Sequence, residues 1–91
     1  MSYEIASGGK SLGRFASNKG YSDLIAAVRR GIYPALKGLF ATGTSENVPA
    51  VCAELTSLAT VASDRDVVST ARALIGLARG RKSITVTGGV L

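Results

Sequence analysis

No histidine occurs in this chain. That removes the side chain most often used as a general base near neutral pH, and the commonest nitrogen ligand for metals. Tryptophan is missing too, and the aromatic set is limited to Tyr3, Phe15, Tyr21, Tyr33 and Phe40. A core therefore has to be assembled from Leu, Ile and Val, on helices that approach one another closely through 13 alanines. The single cysteine, Cys52, excludes an intramolecular disulfide and points to a reducing compartment. Apolar runs stop at five residues, as in 24–28, far short of the ~20 that cross a bilayer. The first ten residues are polar and glycine-rich, with none of the basic-then-apolar order of a secretory signal. The expectation is a cytoplasmic protein with no membrane partner.

Ninety-one residues suit one small domain spanning 1–91. A chain of this length buries only roughly 60–65% of its unfolded surface, so a homodimer that completes the core is a natural expectation. The net charge of +5 is unevenly spread. Residues 10–37 carry six cations against Asp23. Residues 46–66 are acidic, and residues 72–82 hold Arg72, Arg79, Arg81 and Lys82. Some of these cations have a local explanation, because Arg29, Arg30 and Arg79 fall where helices end and cations favour the dipole.

The clearest local signal is SDRDVVSTARALIGLARG, residues 63–80. Ser63 can cap a helix, Asp66 takes the acidic position three residues on, and Gly80 sits where a left-handed residue ends one. Val67, Ala71, Leu74, Ile75 and Ala78 form its apolar stripe. The preceding segment repeats the pattern with Val48, Val51, Cys52, Leu55, Leu58, Ala59 and Ala62, Pro49 being tolerable only in the first turn. A short connection then predicts an antiparallel hairpin of helices at about 46–62 and 64–79. Upstream, Ser22 caps a helix from Asp23 to about Gly31. Pro34 opens another helix that Gly43 ends.

Both ends of the chain read as strands. Tyr3 and Ile5 alternate within SYEIA, and Ile84 and Val86 alternate with Ser83, Thr85 and Thr87 before Gly88 and Gly89. The two strands can pair with each other or with a second molecule. Residues 7–20, SGGKSLGRFASNKG, show no period and read as a flexible basic loop, dispensable for folding. The fold class is α+β and mostly helical: a short N-terminal strand, three or four helices, and a short C-terminal strand.

Val48 to Ala78, with Pro49, Leu55, Leu58, Asp64, Val67, Ala71 and Leu74, is similar to one helical hairpin of a HEAT-type repeat. Val68 stands where such repeats carry arginine, and no second copy follows. The resemblance implies a packed helix pair and no solenoid.

Chemistry-bearing motifs are sparse. Gly8-Gly9-Lys10-Ser11 matches the end of a phosphate-binding P-loop, but Glu4 occupies the position of its first glycine. Thr42 to Asn47 fits a loose Ser/Thr-x-x-x-Glu-Gly/Asn pattern of inhibitors of adenylyl-transferring toxins, yet Gly43 breaks the helix that pattern needs. Cys52 lies on an apolar stripe without an activating base and reads as an inert thiol. Asp64 and Asp66 read as capping residues. No catalytic residue, metal ligand or cofactor site is expected.

Two basic clusters remain. Lys10, Arg14 and Lys19 surround Phe15, a ring able to stack on a base, and Arg79, Arg81 and Lys82 follow the last helix. The expected function is non-enzymatic binding of another protein, in a regulatory, inhibitory or adaptor role. The alternative is association with nucleic acid through the clusters at 10–19 and 79–82.

Overall fold

The two longest apolar stripes become the two longest helices. The computed structural model describes residues 2–88, with side chains from 3 to 87. Its elements are β1 (Ser2–Ser7), β2 (Lys10–Ser17), α1 (Asn18–Arg29), α2 (Pro34–Thr42), β3 (Thr44–Ser45), α3 (Val48–Val61), α4 (Arg65–Ala78) and β4 (Ile84–Gly88). The fold is α+β and mostly helical, with α3 and α4 forming the expected hairpin. Val48, Val51, Leu55 and Leu58 of α3 are buried, as are Val67, Ala71, Leu74 and Ala78 of α4. The faces this hairpin turns away from itself are covered within the chain, by α1, α2 and β2, where a repeat protein would use neighbouring repeats.

The terminal strands pair with each other inside one sheet, in the order β2-β1-β4-β3, all antiparallel. β4 pairs with β1 on one side and, over Ile84 and Thr85, with β3 on the other. Ile5 is opposite Val86, and with Ile84 these residues lie on the face that the helices cover. Glu4, Arg14, Thr44, Thr85 and Thr87 alternate onto the other face, which is turned to solvent. Gly89, expected to help end β4, lies outside the described residues.

Residues 7–20 are not a loop. Gly8 and Gly9, with φ of 60° and 79°, make the two-residue turn of a β1–β2 hairpin that pairs Ser7 with Lys10. Positive φ at both centres is what such a tight hairpin requires, and glycine reaches it without strain. The strand that follows hides its period through two irregularities. Glu4 pairs with Arg14 but Tyr3 pairs with Ala16, leaving Phe15 as an extra residue; Ile5 and Ala6 pair with Gly13 and Ser11, leaving Leu12 over. The first bulge places Phe15 and Ala16, adjacent in sequence, both in the core. Removal of this segment would take a strand and two core residues with it.

The first helix also begins earlier than Asp23. Ser17, not Ser22, is its cap, with Oγ accepting from Gly20 N at 3.2 Å. Gly20 allows α1 to approach α4: a Cβ added there would stand 2.9 Å from Thr70 Oγ1. Thr70 is a buried polar residue on α4. Alanine is the better helix former, but Thr70 is short and branched at Cβ, so it cannot swing clear. We expect Gly20→Ala to destabilise the fold by about 1–2 kcal/mol, read from the urea midpoint, where an exposed helical glycine such as Gly38 would gain from the same change.

The remaining boundaries follow local chemistry. Pro34 is the first residue of α2, as expected, and Gly43 ends it at φ 84° with its N–H on Leu39 O at 2.7 Å. Gly43 O accepts from Val86 N at 2.8 Å, which ties the end of α2 to β4. Thr44 and Ser45 form β3, and Asn47 caps α3, accepting from Ala50 N at 3.4 Å. The 42–47 pattern therefore lies across a left-handed turn and a strand and not on a helix. Asp64, rather than Ser63, caps α4 through Asp66 N at 2.8 Å, and Gly80 adopts φ 81° as expected. Among the described residues no helix is long and apolar enough to cross a membrane.

Candidate functional site

The residues singled out by charge are not brought to one place. Ser7 Oγ donates to Ser83 O at 2.7 Å, which draws the β1–β2 turn against the segment before β4. Exposed Lys10 therefore shares one end of the sheet with exposed Arg81 and Lys82. Arg14 is on the open face of the sheet, opposite Glu4. Phe15 is 5% exposed and unavailable to stack on a base, which corrects its assignment as a binding residue. Arg79 is the C-cap of α4 and lies close enough to Cys52 to act on its thiol. Burial pushes that thiol up more strongly than Arg79 pulls it down, so Cys52 stays protonated.

Lys19 is occupied within the fold. Its Nζ lies 2.9 Å from Asp23 Oδ2 and 2.8 Å from Asp66 Oδ2, the only ion pairs among the described residues. Asp23, Asp64 and Asp66 bring carboxylate oxygens within 4.8 Å of one another, and the Lys19 ammonium, paired with two of them, offsets part of their charge. Hydrogen bonds to Asp66, then Asp23, hold the Lys19 pKa well above the usual lysine range. The contact joins the first turn of α1 to the first turn of α4 across 47 residues of sequence. Lys19 itself remains 73% exposed, with its ammonium held between these two carboxylates.

A different site lies between α1 and α2. Here a groove of about 340 Å³ has a floor of Tyr21, Ile25, Val28 and Phe40, with Arg29 and Lys37 on its rim. No carboxylate lines it, and neither rim cation has an ion-pair partner among the described residues. Tyr21 organises the floor. Its ring stacks on Tyr3 at 3.7 Å between centroids and 5° between planes, and it meets Phe40 edge-on at 5.6 Å and Phe15 at 6.2 Å. Burial first, and then Tyr3, push the Tyr21 hydroxyl above its ordinary pKa, so it remains a neutral donor. Such a surface offers an aliphatic or aromatic side chain a partly dry seat while two cations meet carboxylates at its edge.

The α2 wall of this groove is held from behind. Tyr33, the N-cap of α2, supplies no side-chain cap. Glu54 of α3 supplies it instead, with Oε2 accepting from Ala35 N and Oε1 from Leu36 N, both at 3.0 Å. A carboxylate there satisfies two orphan amides and meets the positive end of the helix dipole.

Composition and charge did not reveal Arg29, Lys37, Tyr21 and Phe40 as a group. The signal is present in the spacing: Tyr21, Ile25, Val28 and Arg29 share one face of α1, and Lys37, Phe40 and Ala41 share one face of α2. Starting the helix at Asp23 leaves Tyr21 outside it and hides the face. No family model matches this chain, and no curated protein or solved structure shows significant similarity to it.

Proposed function

We propose that this chain is a cytoplasmic, non-enzymatic protein-binding module whose α1–α2 groove receives an acidic, amphipathic segment of a partner protein. The observation that carries the reading is the groove itself: an apolar floor, two rim cations without an ion-pair partner among the described residues, and no acid in its lining. A short helix or extended strand bearing carboxylates around one or two large apolar side chains matches that distribution. Rim charges of this kind steer association and set its salt dependence, while the apolar contact supplies most of the affinity.

The test is affinity capture from lysate split into nuclease-treated and untreated halves, with the wild type and with the Arg29→Glu/Lys37→Glu double variant side by side. Both side chains are exposed, so the variant is expected to fold as the wild type does. Proteins retained by the wild type and lost from the variant would have acidic segments, and their retention would weaken as salt rises. Equal capture by both forms would overturn the groove reading. A second reading draws on Lys10, Arg81 and Lys82 at one end of the sheet, as a phosphate-binding surface for nucleic acid. Material lost on nuclease treatment, and insensitive to the double variant, would favour that reading over the first.

A further inference from the structure

We propose that a second copy of this chain docks, about a two-fold axis, on the surface formed by the α1–α2 loop and the α3–α4 turn. Ile32 is 92% exposed and Val61 is 70% exposed, and they are the large hydrophobic side chains left in solvent among the described residues. Val61 lines, and Ile32 adjoins, a groove of about 300 Å³ whose walls include Ala27, Tyr33, Leu58 and Val67. An apolar knob thus stands beside a hole with apolar walls that Arg30 and Asp64 also line, on one patch. That is the requirement of an isologous interface, in which residue i of one copy meets residue j of the other and the reverse contact follows by symmetry.

The charges around the groove select the same occupant. Arg30 and Asp64 both line it, they have opposite signs, and neither is in an ion pair among the described residues; Asp64 Oδ1 accepts from Asp66 N as the cap of α4. A partner with a single sign of charge would attract one and repel the other. A two-fold copy places each Arg30 toward the Asp64 of its partner and each Asp64 toward the partner's Arg30. The knob is also held in place before association. Tyr33 packs against the core directly after Ile32, and Pro34 then fixes the start of α2, so little order remains to be gained on docking. The patch shares no lining residue with the α1–α2 groove, so the two proposals stand or fall separately.

Sedimentation equilibrium between about 10 μM and about 1 mM covers the range in which interfaces of this small size associate. The mass of the wild type is expected to rise from 9.3 kDa toward twice that value. Ile32→Asp is expected to raise the dissociation constant by at least about 100-fold, because the lost burial counts twice in a two-fold interface. At 92% exposure, Ile32 contributes almost nothing to the fold of the monomer, so circular dichroism and the unfolding midpoint should not change. Arg30→Glu, a change at an exposed side chain, is also expected to be monomeric, since it would set a carboxylate against the partner's Asp64 at both contacts. A wild type that stays at 9.3 kDa throughout overturns the proposal. So does an Ile32→Asp or an Arg30→Glu variant that associates like the wild type.

Discussion

Replacing Tyr21 with alanine is expected to lower the free energy of unfolding by about 3–4 kcal/mol, and the melting temperature by on the order of 15–25 °C. The ring is only partly buried, so its transfer from water accounts for about half of this. The rest comes from its neighbours. The edge contacts with Phe40 and Phe15 are aromatic pairs each worth ~0.5–1.5 kcal/mol beyond buried area, and the Tyr3 ring, stacked face to face, adds contact area. They join β1, β2 and α2 to α1, and the alanine variant leaves a void among all four. Thermal unfolding followed by circular dichroism measures the effect, and a fall below about 5 °C would mean that the rings contribute area alone. Tyr21→Phe keeps the ring contacts and should stay close to wild type near neutral pH. It should differ in alkali. The folded state holds the Tyr21 proton more tightly than the unfolded chain does, so this stabilisation is complete below pH about 10 and is lost as pH rises through the raised value. The phenylalanine variant lacks that part of the alkaline decline.

Glu54→Ala is expected to cost about 2–3 kcal/mol, seen as a lower urea midpoint with an unchanged slope. Two charge-assisted hydrogen bonds of 3.0 Å disappear together, and Ala35 N and Leu36 N, part-buried, are left without acceptors. Glu54→Gln retains one carbonyl oxygen and is expected to lose about half as much. The effect should be local before it is global. Hydrogen exchange at Ala35 and Leu36 should accelerate in both variants while amides of α3 and α4 keep their protection. Uniform acceleration across the helices would place the loss in α3 packing and not in the cap. The same contact positions Lys37 and Phe40, so loosening it should also weaken whatever the α1–α2 groove holds.

What could be read from the residues, and what could not, divides along physical lines. The stripes of α3 and α4 are legible because every turn of each helix repeats the same burial, with aligned positions such as Val51, Leu55 and Leu58. Pro34 and Gly43 are legible because their backbone requirements are local. The β2 strand is not, since two bulges cancel its alternation and place Phe15 beside Ala16 in the core. The early start of α1 is hidden by Gly20, a poor helix former that is selected by the closeness of Thr70 on a helix 50 residues away. The groove depends on two helices whose separate faces look unremarkable, and only their packing makes a floor between cations. Charge is visible in any sequence. That Lys19 is already engaged by Asp23 and Asp66, while Arg29 and Lys37 are not, is a property of the folded chain.

The pairing of β1 with β4 has a mechanical consequence. Tyr3 lies opposite Gly88 in antiparallel strands, so the two ends of the described chain leave the sheet side by side. Tension applied through those ends loads the hydrogen bonds of the β1–β4 ladder one after another, from Tyr3–Gly88 inward, and not all together as in shear. A pull from both ends therefore opens this ladder like a zipper, beginning at the Tyr3–Gly88 pair.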